Sequence, residues 1–209
     1  MTSRGLSWVL PLGPGPGHHR RVAQSTEVTA SRSGRIPLLA LLVGAAVAVL
    51  LGVNDRRHPG SAHPVKLGFD SVIQMKTWLA LAVGVLLLGQ LVGALWMYGR
   101  LGSRAPAWVG PAHRTAGYLA VLISLPVAYD CLLAFGIQSY QFRVLLHALF
   151  GCAVYGALVV KVFAVHSRTS PSWFLPVAGG VLFALFMAAV LTSAVWYSAQ
   201  YGFPTGHEY

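Results

Sequence analysis

Apolar residues run almost unbroken through five stretches of the chain, near 36–53, 75–98, 114–136, 144–165 and 173–197. Polar breaks rich in Pro and Gly separate them. A helix crosses a hydrocarbon core with about 20 apolar residues, so four stretches are ample and the first is only just long enough. None alternates polar with apolar residues, and all are rich in Leu, Ala, Val and Gly. Lipid tolerates only helices and closed barrels, because both satisfy every backbone N–H and C=O internally. Without alternation a barrel is excluded. The pattern predicts an all-α integral membrane helical bundle with five transmembrane helices, or four if the first does not span.

The breaks carry their own signals. Asn54 to Gly60 is an abrupt polar stop with helix breakers, and Ser71 followed by Gln74 matches a capping box that starts helix two near Val72. Helix two contains Gly89 and Gly93, a small-xxx-small pair suited to close helix packing, and Gln90, suited to a hydrogen bond across to a neighbouring helix. Residues 100–112 read as a loop, and Pro126 predicts a kink in helix three. The connection at 136–141 is short and makes helices three and four an antiparallel hairpin. Residues 1–35 form a basic, Gly- and Pro-rich segment expected to be a disordered cytoplasmic tail. The bundle covers 36–198, and 199–209 is a short external tail.

Composition agrees with this solvent: 56% of residues are hydrophobic and 10% charged. Soluble domains carry about 25% charged residues. The net charge of +10 is scattered among the breaks and no nucleic-acid reading element accompanies it, so nucleic acid is excluded as a partner. With five spans, nine Lys and Arg fall on one side and five on the other, which places the N-terminus in the cytoplasm of a cell-membrane protein. Cys131 and Cys152 fall within spans and read as small buried residues rather than a disulfide. In the first external loop Asp55, His58, His63 and Asp70 match no metal-site spacing.

An ionisable side chain inside a span is costly and marks candidate chemistry. His113, Asp130, His147, Lys161 and His166 all lie in the hairpin of helices three and four. Counted from Ser139, His147 and Asp130 lie 8 and 9 residues away, while His166 and His113 lie 27 and 26 away. Two level pairs are expected: Asp130 with His147, and His113 with His166. The offsets along each helix differ from whole turns by about 100° in compensating senses, so both pairs are permitted on one flank. Imidazoles on facing helices are the usual axial ligands of a b-type haem. Against this, directly packed helices lie about 8–10 Å apart, which leaves little room for a porphyrin.

The segment His113-Arg114 with Gly117 and Tyr118, together with Arg143, His147 and Gly151, resembles the haem-bearing hairpins of cytochrome b and ferric reductase type membrane proteins. The resemblance implies haem b on His113, His147 and His166, with Asp130 at a further ligand position, and electron transfer as the activity. The run from His113 to Lys161 is more closely similar to a small uncharacterised family of bacterial multi-pass proteins, in which a histidine often stands where this chain has Asp130. Lys161, Arg143 and Tyr118 are expected to form a polar network beside these groups.

Other roles stay open for the same residues. His113 and His166 sit at helix ends where interfacial residues are wet, Lys161 can snorkel, and Asp130 can clip helices together through Arg143 or His147. Three function classes follow: haem-based electron transfer, a non-catalytic subunit pairing with a membrane protein or a second copy through Gly89 and Gly93, and proton or solute handling by Asp130, His147 and Lys161. No nucleotide loop, zinc-protease pair or nucleophile–base grouping is present in the sequence.

Overall fold

The computed structural model describes residues 37–54, 56–57, 60, 62–168 and 170–205. All five apolar stretches are helices: α1 Pro37–Asn54, α2 Val72–Met97, α3 Val109–Ala134, α4 Phe142–His166 and α5 Phe174–Tyr201. Each is long and apolar enough to cross a membrane, and no strand occurs among the described residues. The architecture is that of a multi-pass membrane protein. The expected tail at 1–35 lies outside the described residues.

Local chemistry fixes several helix ends. Ser71 Oγ accepts the Gln74 N–H at 3.1 Å, while the Gln74 carboxamide takes the Asp70 N–H at 2.9 Å, one residue before the position an ideal capping box uses. α2 ends at Gly99, whose φ of 71° is open to glycine, and the amides of 98–100 turn back onto the carbonyls of Ala94, Trp96 and Leu95. α3 begins at Val109 rather than near 114, so much of the expected 100–112 loop is shorter than the sequence suggested. Pro111 does not prevent this, because first-turn N–H groups have no helical partner to lose.

Two helices change register before they end. In α3, regular helix continues through Pro126 to Tyr129 and then widens into a π-turn at Asp130–Ala134. In α5 a π-turn occupies Leu191–Val195, after which α-helix resumes from Trp196 to Tyr201. Beyond α5, Phe203 stacks on Trp78 with ring centroids 5.6 Å apart, and the Trp78 indole donates to the Pro204 carbonyl at 3.3 Å.

Two consecutive helix pairs pack closely and the pair between them does not. α2 pairs with α3, α4 pairs with α5, and α2 also lies against α5. The central core joins Val83 and Leu87 of α2, Ala120 of α3, Val154 of α4, and Leu182 and Phe186 of α5. α3 and α4 are joined by the short connection, yet they are not one of the main packed pairs. The hairpin is splayed, and residues of both helices line a cavity between them.

α1 docks on α4 through bare backbone. A Cβ built on Gly44 would lie 2.6 Å from both the Gly156 carbonyl oxygen and Val160 Cγ2. One built on Gly156 would overlap the Gly44 carbonyl oxygen and sit 3.0 Å from Ala48 Cβ. Small residues allow this approach, which supplies the dispersion contacts that hold helices together where lipid removes the hydrophobic drive. The crossing uses Gly44, Ala48 and Gly156, not the Gly89–Gly93 pair.

Candidate functional site

Arg143 and His147 stand four residues apart on α4 and therefore share one face. That face meets the π-turn of α5. Inside it, Thr192 Oγ1 donates to the Ala188 carbonyl at 2.7 Å and Ser193 Oγ to the Ala189 carbonyl at 2.7 Å. Hydroxyls that return to carbonyls three or four residues back compete with the backbone ladder. The change of register leaves carbonyls to be satisfied from outside the helix. Arg143 Nη1 donates to the Thr192 carbonyl at 2.6 Å, and its guanidinium lies 3.5 Å over the Trp196 ring. His147 Nδ1 meets the Ala189 carbonyl at 3.1 Å. A carbonyl only accepts, so Nδ1 carries the proton, and the lone pair of a neutral ring is on Nε2.

Where α3 and α4 diverge there is a cavity of about 640 Å³. Its walls come from α2, α3, α4, α5 and the 136–141 connection. Polar groups gather at the end nearest that connection: Lys76 and Thr77 from α2, Arg143 and His147 from α4, Ser193 and Tyr197 from α5. Deeper walls are apolar, including Val83, Val154 and Phe186. At the inner end Ser124 and Tyr155 join α3 to α4 by a hydroxyl–hydroxyl contact of 3.3 Å. Lys76 Nζ sits 4.7 Å from the centre of the Phe135 ring, which also lines the cavity. No Asp or Glu lines it among the described residues.

The expected level pairs are not assembled. Asp130 is completely buried and its Oδ1 accepts the Val65 N–H at 2.9 Å, while Oδ2 is buried without a partner. The carboxylate thus clips the segment before α2 to the end of α3, helped by the Ala62 N–H donating to the Leu133 carbonyl at 3.1 Å. Its partner is neither His147 nor Arg143, both of which turn to α5. A clip role holds, with backbone in place of a side chain. His166 is exposed, and its Nδ1 returns to the Val162 carbonyl of its own helix at 2.9 Å. His113 is elsewhere: its ring fills the space left by Gly93, where a Cβ would lie 3.4 Å from His113 Nδ1.

Gln90 donates to the His113 carbonyl, so the expected cross-helix bond of Gln90 is present between α2 and α3. His113 Nδ1 is buried without a partner, and Lys161 is half-buried. Lys161 lies 14 residues after His147, roughly 21 Å along α4, so Asp130, His147 and Lys161 do not form one polar track. Tyr118 is 75% exposed on the outside of the bundle, away from the polar network expected of it. Gly89 is exposed and a Cβ there meets nothing, so Gly89 and Gly93 do not act as one packing face within the chain. No disulfide joins Cys131 and Cys152.

These positions decide the fit of a haem. Bis-imidazole ligation does not fit, because His113 is pressed into the α2–α3 seam and His166 faces outward. His147 alone among the described histidines lines the cavity. No cluster of three or more potential metal ligands occurs among the described residues. Sequence reasoning missed Lys76, Thr192 and Ser193, and it paired Arg143 with Asp130 where the structure pairs it with Thr192 of α5. A signal was present: two adjacent hydroxyl residues in an otherwise apolar helix, and two basic residues at i and i+4 in another.

No curated protein and no solved structure matches the chain. Residues 37–205, which contain all five helices and the cavity, match the family of unknown function DUF6529, and the chain belongs to that family.

Proposed function

We propose that this multi-pass membrane protein binds a hydrophobic small molecule within the bundle, in the cavity between the splayed helices α3 and α4. The observation that carries this is the cavity itself, about 640 Å³, with polar side chains at one end and apolar walls deeper in. Ligand sites are commonly clefts of about 300–1,000 Å³, mostly apolar, with a few convergent polar groups. Here the convergent groups are Arg143 and His147, both fixed by hydrogen bonds to α5, so the polar end is preorganised before anything binds.

Gly151 supplies the test. It lines the cavity, and a Cβ added there meets no atom within 4 Å. Gly151→Phe therefore projects a ring toward this space from a Cβ that clashes with nothing. Full-length wild-type protein, purified in mild detergent and extracted with organic solvent, is expected to yield a co-purifying small molecule by mass spectrometry, and Gly151→Phe to lose it. Identical extracts from the two proteins would refute the proposal.

His147 favours one more specific occupant, a b-type haem that this histidine would hold. Its Nδ1–H is tied to a backbone carbonyl, the arrangement that fixes tautomer and ring orientation in metal-bound histidines. When bound, such a group supplies one-electron redox chemistry. A dithionite-reduced spectrum with a b-type α band, lost in His147→Ala, is the expected sign. A colourless protein with an intact extractable ligand would remove haem and leave the binding function standing.

A further inference from the structure

The cavity has a charge pattern that selects among hydrophobic molecules. Lys76 and Arg143 line the end nearest the 136–141 connection, and no carboxylate among the described lining residues balances them. Arg143 uses one nitrogen on the Thr192 carbonyl and turns its face to Trp196, which leaves further N–H donors of its fork. Lys76 has no hydrogen-bond partner among the described residues and only the face of Phe135 beside it. Two cations near lipid, without a counter-ion, are costly, and an anion between them removes much of that cost.

The dimensions add a second restriction. From Arg143 to Tyr155 is 12 residues, so the walls run roughly 18 Å from the charged end to the inner end. Half of a hydrocarbon core is about 15 Å. A chain lying in this space with its head at the cations spans the depth it would span in its own leaflet. A volume of about 640 Å³ accommodates one alkyl chain along this depth.

We propose that the cavity binds a single-chain anionic amphiphile, its carboxylate or phosphate between Lys76 and Arg143 and its alkyl chain against Val83, Val154 and Phe186. This rests on the cavity being a ligand site and adds the class of ligand.

Native mass spectrometry of the full chain in nonionic detergent, titrated with laurate, dodecyl phosphate, dodecanol, phosphatidylglycerol or inorganic phosphate, tests it. Laurate and dodecyl phosphate are expected to bind about tenfold or more tightly than dodecanol, the scale of one charge-assisted hydrogen bond. Lys76→Gln is expected to weaken both severalfold toward the dodecanol level, Arg143 keeping part of the preference, and Lys76→Arg to retain them. Dodecanol binding as tightly as laurate, or Lys76→Gln leaving the anions unaffected, overturns the charge selection while the site itself stands. Phosphatidylglycerol or inorganic phosphate binding as tightly as laurate overturns the single-chain occupant. Laurate binding undiminished in Gly151→Phe takes down the cavity site along with it.

Discussion

Two glycines on the same helix, five residues apart, are expected to respond in opposite directions to the same substitution. At Gly151 an added Cβ meets nothing within 4 Å. Gly151→Ala therefore acts only on the backbone, where Ala is favoured over Gly in a helix interior by about 0.5–1 kcal/mol. At Gly156 the added Cβ overlaps the Gly44 carbonyl oxygen and lies 3.0 Å from Ala48 Cβ. Both obstacles belong to helical backbone or to a Cβ, neither of which has a rotamer to retreat into. α1 must move away from α4, and overpacking of this kind costs about 1–3 kcal/mol. Set against the helix-propensity gain, Gly156→Ala is expected to destabilise by about 0.5–2 kcal/mol. The assay is equilibrium unfolding of both variants in mixed micelles, followed by tryptophan fluorescence. Gly44→Ala should match Gly156→Ala, and the double variant should fall short of the sum because both relieve one contact. If the two alanines on α4 shift stability equally and with the same sign, the α1–α4 crossing is not built as described.

Three further outcomes follow from single hydrogen bonds. Asp130→Ala takes the acceptor from the partly buried Val65 N–H, a loss of about 1 kcal/mol, and should expose the segment before α2 to protease; Asp130→Asn keeps an oxygen there and should protect it. Gln90→Leu removes the donor to the His113 carbonyl between α2 and α3 and should lower thermal stability by about 0.6–2 kcal/mol, the range for such bonds in membranes. Arg143→Ala takes away both the donor to Thr192 and the cation over Trp196, so amide hydrogen exchange at 191–195 should rise well above wild type, whereas exchange in the first turns of α5 should not change.

The spans were legible because the requirement lipid imposes is one-dimensional: a long enough apolar run is a helix, whatever it packs against. Capping chemistry at Ser71 was legible for a similar reason, being settled within four residues. Partner choice was not. Counting residues from Ser139 gives heights along a hairpin, but the direction of each side chain depends on every register change between. The π-turn at Asp130–Ala134 alters that direction where it mattered, and the π-turn in α5 offered α4 a better partner than α3. The backbone amide that Asp130 binds has no signature in any side chain, so no spacing rule could have named Val65. Of the glycines, Gly89 and Gly93 drew notice through their motif. Gly44 and Ala48 carry the same spacing and do the packing, since a motif supplies the opportunity for approach and the neighbouring helix decides whether it is taken.

The cavity is a consequence of this choice of partners. Thr192 and Ser193 direct their hydroxyls at carbonyls of their own helix, and the widened turn there presents further carbonyls sideways. In a bundle bathed in lipid an unsatisfied carbonyl is expensive, so a donor from a neighbouring helix is favoured strongly. α4 offers two, Arg143 and His147, one turn apart on a single face. Satisfying α5 turns that face away from α3, whose own end is held by Asp130 to the segment before α2. Each helix of the hairpin is thus drawn to a different neighbour, and the short connection at 136–141 joins two ends that are pulled apart. The space between them, with basic side chains at one end, arises from the same few hydrogen bonds that stabilise the fold, so binding geometry and stability here depend on the same residues.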